Sequence, residues 1–191
     1  METIGHHTCS NNGGYDFILR NAPFISIYNE KTGNKPFLGT GYYFFDNNRN
    51  EAEEWGRTHY RNRYCILEAL MNINNDIFFD LVGSTTHQQN LELLRSKFVD
   101  RGFPRDHWQL GKFIEFLKRL REMDDFKGIF PYEAIRAVDI TPKPKFLVKF
   151  SSKRKSKDVH YTNLAPKYII CILSLDNISL ANKNIYCVKI A

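Results

Sequence analysis

Apolar positions along the chain switch between a period of two and a period near 3.6, dividing it into strand-like stretches and helical ones. Tyr15, Ile18 and Leu19 have the spacing of a short helix over residues 14–21, which Pro23 prevents from continuing. Leu38-Gly39-Thr40-Gly41-Tyr42-Tyr43-Phe44-Phe45 ends in an aromatic run that reads as a strand. Behind it, Asn50 and Glu53 form an N-cap and capping-box pair for a helix through about residue 61, with Trp55 expected on its core face. Cys65, Leu67, Ala69, Met71 and Ile73 alternate along a strand over 64–73, and a shorter apolar run covers 77–82.

The period then turns helical over residues 84–125. Leu91, Leu94 and Phe98 mark one helix closed by Gly102, and Leu110, Phe113, Ile114, Leu117 and Leu120 mark a second. Short β-branched or aromatic runs follow at 132–140, 145–150, 167–175 and 185–190, separated by Pro, Asn and Ser-rich turns. Strands interrupted by a segregated helical pair predict an α+β fold, and 191 residues suit a single domain spanning 1–191.

Composition narrows the class. The chain is 42% hydrophobic and 14% aromatic, which is globular usage and excludes a disordered polymer. No apolar run approaches the roughly 18 residues of a membrane span, and the first residues lack a basic-then-apolar leader, so a cytoplasmic protein with no membrane partner is expected. Cys9, Cys65, Cys171 and Cys187 are scattered without a Cys-x-x-Cys pair, so buried free thiols are expected and no metal site.

The net charge of +6 points to an acidic partner. Much of the excess lies in Lys143, Lys145, Lys149, Lys153, Arg154, Lys155 and Lys157, a candidate nucleic-acid contact or else a solvated hairpin tip. A histidine-based nuclease finds no support, because His59, His87, His107 and His160 have no spacing that singles one out.

Two motifs carry a family resemblance. His6-His7-Thr8 resembles the His-Gly-Thr that opens the ADP-ribosyltransferase superfamily of poly-ADP-ribose polymerase and diphtheria-toxin-like proteins. Gly39-Thr40-Gly41-Tyr42-Tyr43-Phe44 is similar to its Gly-x-Gly-x-Tyr-Phe strand, and a helix with Ala52 and Trp55 follows in the family's order.

The resemblance implies a split β-sheet core and NAD as substrate. It implies mono-ADP-ribosyl transfer to a macromolecule, nucleic acid before protein, in a small bacterial or phage protein acting as a toxin or phage-defence effector with an antitoxin or other regulatory partner. His6 would bond the adenosine ribose and Tyr43 would stack on nicotinamide, with Thr8, Gly39 and Gly41 lining the cleft. Lys153, Arg154, Lys155 and Lys157 would hold a nucleic-acid acceptor.

The sequence departs from the pattern twice. His7 stands where the family has glycine, so either His7 turns outward or the register shifts by one. Lys167-Tyr168-Ile169-Ile170-Cys171 lacks the expected Glu, leaving Glu133 as the candidate ribose carboxylate and Arg136 as a phosphate ligand, or the two as an ion pair at i, i+3. The alternative function is a catalytically inactive module that binds NAD or nucleic acid.

Overall fold

The computed structural model describes residues 1–99, 109–139, 147–151, 160–163 and 166–188. Its elements are β1 (Glu2–Ser10), α1 (Gly14–Asn21), β2 (Tyr42–Asp46), α2 (Arg49–His59), β3 (Tyr64–Asn72), β4 (Phe78–Asp80), α3 (Thr85–Val99) and α4 (Leu110–Arg121). After these come β5 (Ala134–Asp139), β6 (Leu147–Ser151), β7 (His160–Asn163), β8 (Lys167–Ile172) and β9 (Ser179–Cys187).

Among the described residues, seven strands form one sheet in the order β4-β5-β8-β2-β1-β3-β9, and β6 pairs with β7. Every neighbouring pair in the large sheet is antiparallel except β4 with β5. This is an α+β molecule with a mixed sheet and, among the described residues, four α-helices, none of them long and apolar enough to cross a membrane.

Alternation along the strands sorts side chains onto two faces. One face buries Cys9, Phe44, Cys65, Leu67, Ile170 and Ile172 together with Ile18 of α1. The other carries Tyr64 and Ile66 under α2, and Phe79, Ile135, Ala137 and Cys171 against Phe113, Ile114 and Leu117 of α4. Each of those three α4 side chains is fully buried, a stabilisation of about 1.5–3 kcal/mol apiece. β3 is thus covered on both faces, which is why its apolar residues form a nearly continuous run rather than a simple alternation.

α2 begins two residues earlier than expected. Asn48 is the N-cap, its side chain accepting the Glu51 N–H at 3.2 Å, because Asn47 takes a left-handed φ of 48° and turns the chain straight from β2 into the helix. Trp55 is 44% exposed rather than in the core. Ala52 and Gly56 take the buried side instead, since a Cβ on Gly56 would lie 2.4 Å from the Tyr64 ring and only small residues fit there.

Other differences come from partners distant in sequence. β9 starts at Ser179 rather than 185; as an edge strand it needs no apolar alternation, and Asn182, Lys183 and Asn184 in its middle are polar and exposed. Cys65 and Cys187 are joined by a disulfide across 122 residues, while Cys9 and Cys171 are free and buried. The two paired cysteines face one another across β3 and β9, a register that spacing along the chain does not reveal.

Gly41 is a tight point of the sheet. A Cβ there would stand 2.4 Å from Cys171 Sγ and 2.7 Å from the Ile172 carbonyl oxygen. Gly41→Ala is expected to destabilise the fold by about 1–3 kcal/mol, read as a lower urea midpoint at unchanged slope.

Candidate functional site

β1 and β2 face each other at only two pairs, Gly5 with Asp46 and His6 with Phe45, whereas β1 runs beside β3 from Glu2 to Ser10. Beyond His6 the sheet opens between β1 and β2. His7 spans the opening: its Nε2 accepts the Phe24 N–H at 3.1 Å, so the ring proton is on Nδ1, which donates to the Tyr43 carbonyl at 2.9 Å. Burial pushes its pKa down from 6.5 to about 4, against the opposing effect of the Tyr43 carbonyl, and the imidazole is neutral near neutral pH.

Main-chain groups of β1 alternate as well. Met1 and Asn11 bond towards the β3 side, through Ile73 and Arg63, while the Ile4 carbonyl accepts the Asn47 N–H on the β2 side. Even-numbered residues therefore face β2, and the Thr8 N–H and C=O turn into the opening. The Tyr43 carbonyl, which continuing register would set opposite Thr8, is bonded to His7 instead.

A cleft of about 760 Å³ fills this opening. Tyr43, Phe45 and Ile169 line it from the sheet, Trp55 and Tyr60 from α2 and the turn after it, and the segments 24–28 and 34–37 with Gly111 of α4 from the far side. Asp139 is the one carboxylate and Lys35 the one lysine or arginine among the described residues that line it. Lys167 Nζ lies 3.4 Å from Glu51 Oε2 and 3.9 Å from Asp139 Oδ2, joining α2, β8 and β5 at one end of the cleft.

The Gly39-Thr40-Gly41 loop is held by protein groups. The Tyr43 hydroxyl donates to the Gly39 carbonyl at 2.6 Å and accepts the Leu38 N–H at 2.8 Å. Glu115 Oε1 accepts the Thr40 N–H at 2.6 Å, and Lys118 Nζ donates to the Thr40 carbonyl at 3.2 Å while pairing with Glu115 at 3.0 Å. Gly39 has φ +84° and a Cβ there would stand 2.7 Å from Glu115 Oε1. The missing side chains at Gly39 and Gly41 make room for α4 and β8, and neither glycine lines the cleft.

Of the expected trio, Tyr43 alone lines the cleft. His6 lies buried with Nε2 3.2 Å from Glu68 Oε2, and its Nδ1 has no hydrogen-bond partner among the described residues. Thr8 lines the cleft, and its hydroxyl donates to the Ala52 carbonyl at 2.8 Å.

Glu133 precedes β5, with Oε1 3.4 Å from Arg121 Nη1 at the C-terminal end of α4; the strand rise separates it from Asp139 by about 20 Å. Arg136 pairs with Asp46 at 2.7 Å and Asp80 at 3.7 Å and lies over the Tyr168 ring, on the sheet face away from Tyr43. The two residues are thus held by separate partners rather than by each other. Lys153, Arg154, Lys155 and Lys157 lie outside the described residues, among which no group of three metal-ligating side chains gathers.

Asp139 and Lys35 went unnoticed in the sequence because neither belongs to a motif. Gly111 near the start of the helix, and the Glu115 and Lys118 pair three apart on it, are the local signs that α4 meets a loop. No protein-family model, no curated protein and no solved structure matches the chain.

His7 makes stability pH-dependent. Its folded pKa lies below the unfolded value of 6.5, so the folded state binds fewer protons; the contribution is full above pH 6.5 and is lost as pH falls towards 4. The shift corresponds to about 3 kcal/mol. Urea midpoints of the wild type are expected to fall across this window, and His7→Gln is expected to flatten that limb while lowering stability near pH 7.

Proposed function

We propose that the chain is an NAD-dependent mono-ADP-ribosyltransferase whose donor binds where β1 leaves β2. The observation that carries this reading is the opening itself, with the Thr8 N–H and C=O facing a cleft that the Tyr43 ring also lines. A carboxamide offers the complementary acceptor and donor, and its attached pyridine ring is flat enough to stack on Tyr43. The cleft volume of about 760 Å³ lies within the range of about 300–1,000 Å³ usual for ligand sites.

The remaining lining supports the same chemistry. Lys35 supplies positive charge for a pyrophosphate. Asp139, tied through Lys167 to Glu51, is the carboxylate for the nicotinamide ribose. As the glycosidic bond breaks, its electron pair leaves with nicotinamide as a neutral ring, and positive charge grows on the ribose carbon and ring oxygen. A carboxylate at hand favours that state over the bound ground state, and an acceptor nucleophile then bonds to the same carbon and gives up its proton to water.

In this reading the first motif shifts by one residue. His7 acts as a positioning residue, holding Tyr43 and the Phe24 segment, and Thr8 contributes its main chain. The Tyr43 hydroxyl serves the Leu38–Gly39 loop, and its ring face remains the part offered to ligand.

The test uses NAD labelled on the adenylate, incubated with the protein and with separate pools of protein, RNA and DNA, following both label and free nicotinamide. Asp139→Asn is expected to reduce transfer about 100-fold while changing NAD affinity by less than about threefold, because the charge it meets exists only in the transition state. Glu133→Gln is expected to leave turnover near the wild-type value. Absence of NAD binding by the wild type in calorimetry would overturn the reading, and binding without release of nicotinamide would favour the inactive NAD-binding module.

A further inference from the structure

We propose that the lip of the cleft formed by the C-terminal half of α2 and the turn after it is the acceptor seat, and that the acceptor is a single-stranded nucleic acid. The inference deepens the ADP-ribosyl transfer reading by naming the acceptor, and it rests on that reading for the transfer step though not for binding.

Three observations converge on this lip. Trp55 lines the cleft yet is 44% exposed, and its ring stacks on the exposed His59 with centroids 3.6 Å apart and planes 15° from parallel. Arg61 and Asn62 then take left-handed φ of 50° and 63°, a tight reversal that leaves Arg61 and Arg63 exposed. Arg57, one turn back on α2, is 52% exposed with its nearest carboxylate oxygen, on Glu53, 3.7 Å away. Over nine residues, the rings of Trp55, His59 and Tyr60 thus share one short segment with three exposed guanidinium groups, and Trp55 and Tyr60 line the cleft.

Each feature answers one part of a nucleotide strand. The guanidinium groups neutralise phosphates and release counterions, which supplies affinity without sequence preference. A half-exposed indole offers a face for an unpaired base. In a duplex both faces of each base are already covered by neighbours, so this lip suits a single strand, and because Trp55 also lines the cleft a stacked base would lie beside the donor site.

The experiment measures anisotropy of fluorescein-labelled oligonucleotides of about 12 residues, DNA and RNA, single-stranded and duplex, without NAD, at salt from about 50 to 200 mM. The full chain is used. The doubly substituted variant Arg61→Gln with Arg63→Gln is expected to make the log–log salt slope shallower by about 1.4, two charges at about 0.7 each, while its NAD affinity by calorimetry is unchanged. Trp55→Ala is expected to weaken single-strand binding at least about fivefold and Trp55→Phe to recover most of it, with circular dichroism showing all variants folded.

Unaltered slope and affinity in both the arginine and alanine variants would overturn the seat, as would tighter binding to duplex. Oligonucleotide binding that fails at low salt while label passes from NAD to the protein pool would overturn it in favour of a protein acceptor. Oligonucleotide binding with the expected variant effects but no NAD binding would leave the seat standing and remove the transferase reading instead.

Discussion

A single uncharged imidazole holds the seam on which the cleft depends. His7 joins β1, the Phe24 segment and β2 through two hydrogen bonds, one accepted and one donated, and only the neutral ring can do both. Protonation would add charge in a buried place and remove the acceptor for the Phe24 N–H, which explains why burial drives the pKa down so far. The ring also takes the Tyr43 carbonyl that ladder pairing would otherwise give to Thr8. Strand alternation turns the Thr8 main chain towards β2, and that substitution of partner leaves it facing the cleft.

The opposite side of the cleft depends on α4, which lies far from the glycine loop in sequence. Glu115 and Lys118 bind the two main-chain groups of Thr40, and a Cβ on Gly111 would stand 2.4 Å from the Pro36 carbonyl oxygen, so helix and loop meet backbone to backbone. The fully buried Phe113, Ile114 and Leu117 anchor the helix on the sheet and thereby fix the loop. Hydrophobic burial sets the position of α4, and two short polar contacts convert that position into the shape of the site.

Charge is distributed in the same economical way around the rim. Lys167 bridges Glu51 of α2 and Asp139 of β5, so the helix that carries Trp55 and the strand that ends in Asp139 are registered by one ammonium group. Arg136 does the equivalent on the opposite face, drawing Asp46 of β2 and Asp80 of β4 together. Both are three-charge clusters between elements that are not all neighbours in the sheet, and each pins a strand end where backbone pairing runs out.

The periodicity of apolar residues was sufficient to mark both helices of the 84–125 block, the bounds of α1, and the strands at 64–72 and 167–172, because burial of one stripe or face is a local requirement that leaves a local pattern. β1 left no such mark: five consecutive residues from Gly5 to Cys9 are buried, and they are small or polar. Whether Trp55 faced core or solvent depended on how closely Tyr64 approached Gly56, and the grouping of Asp139 with Tyr43 depended on β8 lying between β5 and β2. His7 finds Tyr43 across 36 residues, Thr40 finds Glu115 across 75, and Cys65 finds Cys187 across 122. Those encounters are set by strand order and register, which many residues decide jointly, so the sequence by itself determined the elements and their apolar faces while only the tertiary structure decided which polar groups meet.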